Sequence, residues 1–340
     1  MSVRVGLVLG AGGLVGQAYQ AGVLAALEQE LGWDPRTADR LVGTSAGSVT
    51  ATLLRLGVPT ADLVAYVRDE DPVSPEARAV LDHVGHERPV FPPFDLRDAL
   101  GRWSLPSPRL IRRIAARPWA FRPSVAAITL LPPGSINVAQ HTAALDAAAE
   151  GTWPEHLWLC VARRSDGARV VLGRPGSPPA TLSAGVAASC AIPGYFEPVT
   201  IDGIRYFDGG VYSSTNADVL RTEGLDVVIV VASMSAAGGL ARVADGAIRL
   251  AAHRRLDREI ARLRKAGTTV VRIEPTARSI EAMGLNAMAA DRAHDVVETA
   301  FGGTARYIAR EPIAARLAPL ADLRADMSVP TPAPTASEDR

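Results

Sequence analysis

The stretch VLGAGGLVGQAY, residues 8–19, decides the fold class. Upstream of it, Val3 to Leu9 is a short, β-branched apolar run of the kind that forms a buried parallel strand. Downstream, apolar and small residues keep a helical period from about Leu14 to Leu31 and stop at Gly32. Gly10, Gly13 and Gly16 punctuate the junction. The expected unit is strand, glycine turn and helix, with backbone N–H groups and a helix N-terminus able to hold an anion.

The pattern repeats at once. A strand around Leu41 and Val42 leads into Gly43-Thr44-Ser45-Ala46-Gly47, and a second helical pattern runs from Ala46 to Leu56. Two such units in series predict an α/β fold with a mostly parallel, doubly wound sheet. Further along, LWLCVAR and ARVVLG read as paired strands, Ala180 to Ala188 as a helix, and IDGIRYFDGG as a hairpin ending in a tight turn. DVVIVVA is another buried strand. An Arg-rich amphipathic helix from Arg242 to Ala266 and the strand TTVVRIEP follow it.

Residues 71–135 break this rhythm with eleven prolines. From Ala99 to Leu145 there are six arginines and no acid, interleaved with Trp103, Trp119 and Phe121. We expect a helical, Pro- and Arg-rich cap or insert within 71–150, in one domain covering 1–325. Arg109, Arg112, Arg113 and Arg117 are spaced to share a helical face, which suits contact with an anionic lipid surface. The tail, 326–340, is rich in proline and charge and is expected to be disordered.

Lys+Arg and Asp+Glu are both 36, a balance that excludes a dedicated nucleic-acid binder. The cations are arginines except for Lys265. Cys160 and Cys190 lie in apolar surroundings without metal-ligand spacing and read as core residues of a reducing compartment. The sequence shows no secretory signal and no apolar run of membrane-spanning length. The expected location is the cytoplasm, with peripheral contact at the inner membrane face.

The glycine loop admits two chemistries. Its spacing suits a dinucleotide pyrophosphate, but the next strand of such a fold should end in an acid for the ribose. Here it ends in Val42-Gly43, and Glu28, Glu30 and Asp34 all precede it. Gly43-Thr44-Ser45-Ala46-Gly47 instead fits G-x-S-x-G between strand and helix, where small neighbours let a serine sit on a sharp turn. The competing use of Ser45 is as a helix cap. A serine nucleophile needs oxyanion donors and a base. Gly12 and Gly13 can supply the donors from the adjacent strand end. His83, His86, His141, His156, His253 and His294 lie in no motif, whereas Asp208 in YFDGG sits at a strand end before two glycines. The alternative for Asp208 is simple turn initiation.

Taken in order, Gly10-Ala11-Gly12-Gly13, Gly43-Thr44-Ser45-Ala46-Gly47 and Asp208-Gly209-Gly210 resemble the patatin-like phospholipase family. ASCAIPGYFEPV at 188–199 adds to the likeness, which spans about residues 3–310. The resemblance implies a three-layer α/β/α fold and a serine–aspartate dyad, with Ser45 as nucleophile and Asp208 as base. It implies an oxyanion hole at Gly10, Gly12 and Gly13, with Gly43, Gly47, Gly209 and Gly210 shaping the turns. Lipid or other acyl esters would be cleaved through an acyl-enzyme, without metal or organic cofactor. One departure stands out: where many members carry a basic residue in the glycine loop, this chain has Leu14 and Val15. Two other functions are consistent with the sequence: nucleotide binding at Gly10–Gly16, and a catalytically idle module on the same scaffold.

Overall fold

A computed structural model describes residues 3–85, 134–236 and 245–327, and the isolated positions 108, 112, 115 and 116. Its centre is β1 (Val5–Leu9), whose five residues are all buried. Leu7 and Leu9 point into one apolar cluster and Val8 into another, as alternation along a strand covered on both faces requires. Around it lie β2 (Arg40–Gly43), β3 (Leu157–Arg163), β4 (Arg169–Leu172), β5 (Val199–Ile201), β6 (Ile204–Asp208), β7 (Val227–Val231) and β8 (Thr269–Ile273). The order across the sheet is β5-β6-β3-β2-β1-β7-β8, with β4 paired to β3. From β3 to β8 along this order the pairs are parallel; β4, β5 and β6 join antiparallel.

The register on β3 positions the site. Leu159 pairs with both Gly43 of β2 and Leu172 of β4, and Val161 pairs with both Asp208 of β6 and Val170 of β4. Since β4 occupies one edge of β3, β2 and β6 share the other. β2 runs parallel to β3 and β6 antiparallel, so they approach head-on and stop with their C-termini facing across Cys160.

Helices cover both faces. The first cluster takes in α1 (Gly13–Leu31), α2 (Ala46–Arg55), α3 (Thr60–Arg68) and α4 (Pro75–Val84). After β4 come α5 (Leu182–Cys190), α6 (Gly246–Lys265), α7 (Ala277–Met283), α8 (Ala293–Ile308) and α9 (Glu311–Met327). Of these, α5, α7, α8 and α9 also join the first cluster, whereas Leu256, Ile260 and Leu263 of α6 pack on the opposite face. The three layers match the expected fold class. α1 is buried on every side through its first three turns, as a helix between sheet and outer helices must be. It ends where expected, because Gly32 takes φ 67° and donates its N–H to the Glu28 carbonyl at 2.8 Å.

One boundary moves for a local reason. The helix expected from Ala180 begins at Leu182, because Thr181 caps it and accepts the Ala184 N–H at 3.3 Å. Within the expected cap, α4 is built on Ser74 as N-cap. The Arg- and aromatic-rich centre, including Trp103, Arg109, Arg113, Arg117, Trp119 and Phe121, lies outside the described residues, as do His86 and residues 328–340 of the tail.

Candidate active site

Ser45 follows β2 by two residues and takes φ 53°, ψ −123°, a conformation that non-glycine residues adopt only under constraint. The constraint is visible on all sides. Its N–H donates to Ser189 Oγ at 3.0 Å, and the Ser189 hydroxyl donates to the Cys160 carbonyl at 2.9 Å. Its carbonyl accepts the Ser48 N–H at 2.7 Å and the Ser48 hydroxyl at 2.6 Å. At Gly47 a Cβ would fall on the Leu9 carbonyl, so the turn closes against β1 only with glycine there. The Ser45 side chain makes no capping bond to α2. Instead it shares a cleft with the Asp208 carboxylate, close enough to lower that group's pKa. The capping alternative is thereby set aside.

Asp208 ends β6, with its N–H donating to the Ala191 carbonyl at 3.0 Å. Its Oδ1 accepts the Gly210 N–H at 2.6 Å, so the residue does initiate a turn while also facing Ser45. Only 5 % of its surface is exposed. Burial pushes its carboxyl up from the ordinary 3.8 to about 6, against the lowering effect of the Ser45 hydroxyl and the Gly210 N–H.

Gly10 is corrected as an oxyanion donor. Its N–H already donates to the Val231 carbonyl at 3.0 Å, continuing the β1–β7 ladder, and the Ala11 N–H donates to the Ser214 carbonyl at 2.7 Å. Gly12 and Gly13 lie one turn further, their N–H groups have no partner among the described residues, and both line the cleft that holds Ser45 and Asp208. Gly13 takes φ 63°, and a Cβ there would stand 2.5 Å from the Ala287 carbonyl. Val15, where the family's basic residue would fall, is 5 % exposed and packed in the core.

Three positioning side chains carry no motif. Gln20, fully buried on α1, donates to the Gly10 carbonyl at 2.6 Å and accepts the Thr50 hydroxyl at 2.7 Å, tying the glycine loop to α2. Asn216 takes φ 55° and donates through Nδ2 to Thr44 Oγ1 at 3.1 Å and to the Ser213 carbonyl at 2.7 Å. It thus bridges the turns that carry Ser45 and Asp208. Ser189 supports the Ser45 backbone as described. Each is an ordinary polar residue in a helix or loop, and only burial marks it out.

The cleft measures about 630 Å³. A second cavity of about 270 Å³ shares Gly13, Ser45 and Ile192 with it and is lined mainly by apolar side chains. Asp208 borders only the first. Among the described histidines, His141 lines the second cavity, while His253 pairs with Glu274 at 2.8 Å. Burial pushes the Cys160 and Cys190 thiols up to about 12, so neither is a ready nucleophile. Among the described residues there is no cluster of three metal-ligating side chains, and no helix is long and apolar enough to cross a membrane.

A serine on a strained strand-to-helix turn, facing a buried carboxylate at the C-terminal ends of a mostly parallel sheet, is an α/β site of the kind formed at strand ends. A family profile described as patatin-like phospholipase matches residues 7–221. The chain belongs to this family. No curated protein sequence matches it. Among solved structures it is similar to the type III effector protein ExoU, at 16 % identity and TM-score 0.33 over 92 % of this chain and 53 % of that one. It is also similar to VipD from Legionella pneumophila, at 13 % identity and TM-score 0.40 over 95 % and 67 %. The chain spans about half the length of ExoU.

Proposed function

We propose that the protein hydrolyses carboxylic esters of lipids through Ser45 and Asp208. The observation that carries this is Ser45, held at a positive φ with no capping bond, on one cleft with the buried carboxylate of Asp208. Asp208 takes the serine proton as Oγ attacks the acyl carbon. The resulting oxyanion rests on the N–H groups of Gly12 and Gly13 at the start of α1, where the helix dipole adds to the donors. Asp208 returns the proton to the departing alcohol, leaving an acyl-enzyme. Water then attacks the acyl carbon as its proton passes to Asp208; the intermediate collapses, Asp208 returns that proton to the departing Ser45 Oγ, and the acid is released. The residues suffice for each proton and charge, so the cycle calls on no metal or organic cofactor.

A fluorophosphonate probe should label wild-type protein at Ser45, and Ser45→Ala should abolish both labelling and cleavage of p-nitrophenyl esters. Asp208→Asn should lower turnover by roughly a hundredfold or more. Unchanged hydrolysis in Ser45→Ala, with the fold intact by circular dichroism, would exclude the mechanism.

The same reading takes residues 1–325 as one hydrolase unit and the basic stretch around Arg102 to Arg122 as its contact with a membrane surface. Sedimentation with vesicles should increase with anionic lipid content and fall in the Arg112→Glu, Arg113→Glu double variant. Equal binding to neutral and anionic vesicles would sink the membrane contact.

A further inference from the structure

Residues 213–217, which follow the Asp208 turn, touch every part of the site. The Ser214 carbonyl accepts the Ala11 N–H at 2.7 Å, immediately ahead of Gly12 and Gly13. The loop also packs on Gly10, where a Cβ would stand 2.9 Å from the Ser214 carbonyl. Asn216 donates to Thr44, the residue before Ser45, at 3.1 Å and to the Gly209 carbonyl, next to Asp208, at 3.3 Å. A shift of this loop would move the glycine donors, the serine turn and the aspartate turn together. Asn216 sits at φ 55°, so the loop keeps its shape only with support from outside.

That support comes from Glu259 of α6. Its Oε1 accepts the Ser213 hydroxyl at 2.6 Å, and its Oε2 accepts the Thr215 hydroxyl at 2.7 Å and the Ala217 N–H at 2.9 Å. The Ser213 oxygen in turn accepts the N–H groups of Thr215 at 3.4 Å and Asn216 at 3.2 Å. Its single proton is therefore committed to Glu259. Both carboxylate oxygens act as acceptors, as an ionised carboxylate does, and Arg255 pairs with Oε1 at 3.5 Å. Burial raises the Glu259 carboxyl, and the hydroxyls of Ser213 and Thr215 oppose that rise. Glu259 lines neither cavity and lies beyond residues 7–221, which the family profile matches.

We infer that Glu259 is a positioning residue for ester cleavage: by clamping Ser213, Thr215 and Ala217 it fixes the loop that aligns the glycine donors, Ser45 and Asp208. The inference rests on the reading of Ser45 as nucleophile and Asp208 as base. An amide cannot replace this carboxylate. With its NH2 at the Oε2 position, glutamine would set a donor against the Ala217 N–H. With its NH2 at the Oε1 position, it would face a Ser213 oxygen whose two lone pairs are already taken.

The test measures kcat and KM for p-nitrophenyl butyrate, with kcat expressed per Ser45 labelled to completion by a fluorophosphonate. Counting only labelled serines removes any loss that comes from unfolded protein. Glu259→Gln should lower kcat per labelled serine by roughly tenfold or more while KM changes by about twofold or less. Glu259→Asp, which keeps two acceptors and the charge, should retain more of the rate than Glu259→Gln. Thr215→Val keeps the shape of the loop and removes one hydrogen bond. It should lower kcat by roughly threefold or more, and it carries the test if Glu259→Gln does not fold. A wild-type kcat per labelled serine in both Glu259→Gln and Thr215→Val would overturn the inference, as would an effect confined to KM. Failure of the nucleophile reading looks different: Ser45→Ala would then still cleave the ester.

Discussion

At the scale of single residues, Asp208 sets the pH behaviour. Its folded carboxyl titrates near 6 and its unfolded counterpart near 3.8. The base is therefore ionised only above about 6, and kcat/KM should rise with pH through an apparent pKa near that value. A flat profile between pH 5 and 8 would contradict this. Between 3.8 and 6 the folded chain binds the proton that the unfolded chain has released, so the contribution of Asp208 to stability falls as pH rises through that window. Above it the ionised carboxylate costs about 3 kcal/mol. Asp208→Asn keeps an acceptor for the Gly210 N–H and removes that charge. It should raise the urea midpoint at pH 7.5, and the gain should shrink towards pH 4. Lower stability in Asp208→Asn at both pH values would show that the site stores no such strain.

At the scale of elements, the site depends on two turns being held against each other. β2 and β6 stop head-on along one edge of β3, and Asn216 spans the gap to Thr44. Asn216→Ala takes away the amide that donates to the Thr44 hydroxyl and the Ser213 carbonyl, whereas the Gly209 carbonyl keeps the Tyr212 and Ser213 N–H groups. We expect a loss of roughly 1–3 kcal/mol in stability, with kcat falling more than KM changes, since the amide touches no substrate. Gly47→Ala should be costlier in folding, by roughly 2–4 kcal/mol, because its Cβ meets backbone rather than a side chain that can swing away. Denaturant melts of the two variants check both expectations.

At the scale of the whole molecule, two cavities meet at Ser45. The smaller holds about 270 Å³ and is bordered by Val49 of α2. Val49→Trp should fill it and lower kcat/KM for dodecanoyl esters relative to butyryl esters by roughly tenfold or more. An unchanged ratio would place the acyl chain elsewhere. The same scale explains α6. Arg255 and Arg258 border the larger cleft, while Glu259, 2 % exposed, reaches inward to the loop after Asp208.

The strands, the long first helix, the serine turn and the aspartate at the end of β6 were legible in the chain because each rests on local pattern. Apolar alternation, helical period and glycine at turns act within a few residues. Ser45 and Asp208 were legible as candidates for the same reason, since each sits in its own glycine-flanked turn. Gln20, Ser189 and Asn216 were not, because a buried amide or hydroxyl looks like a surface one until its partners, tens of residues away, are in place. Gly10 shows the same limit from the other side. The spacing of the loop could not reveal that its N–H is taken by Val231 of β7, two hundred residues downstream. Local sequence thus determined which residues could do chemistry. Only the tertiary structure, by running β2 and β6 at each other along β3, brought Ser45 and Asp208, the proposed nucleophile and base, together. It then buried the carboxyl enough to raise its pKa to about 6.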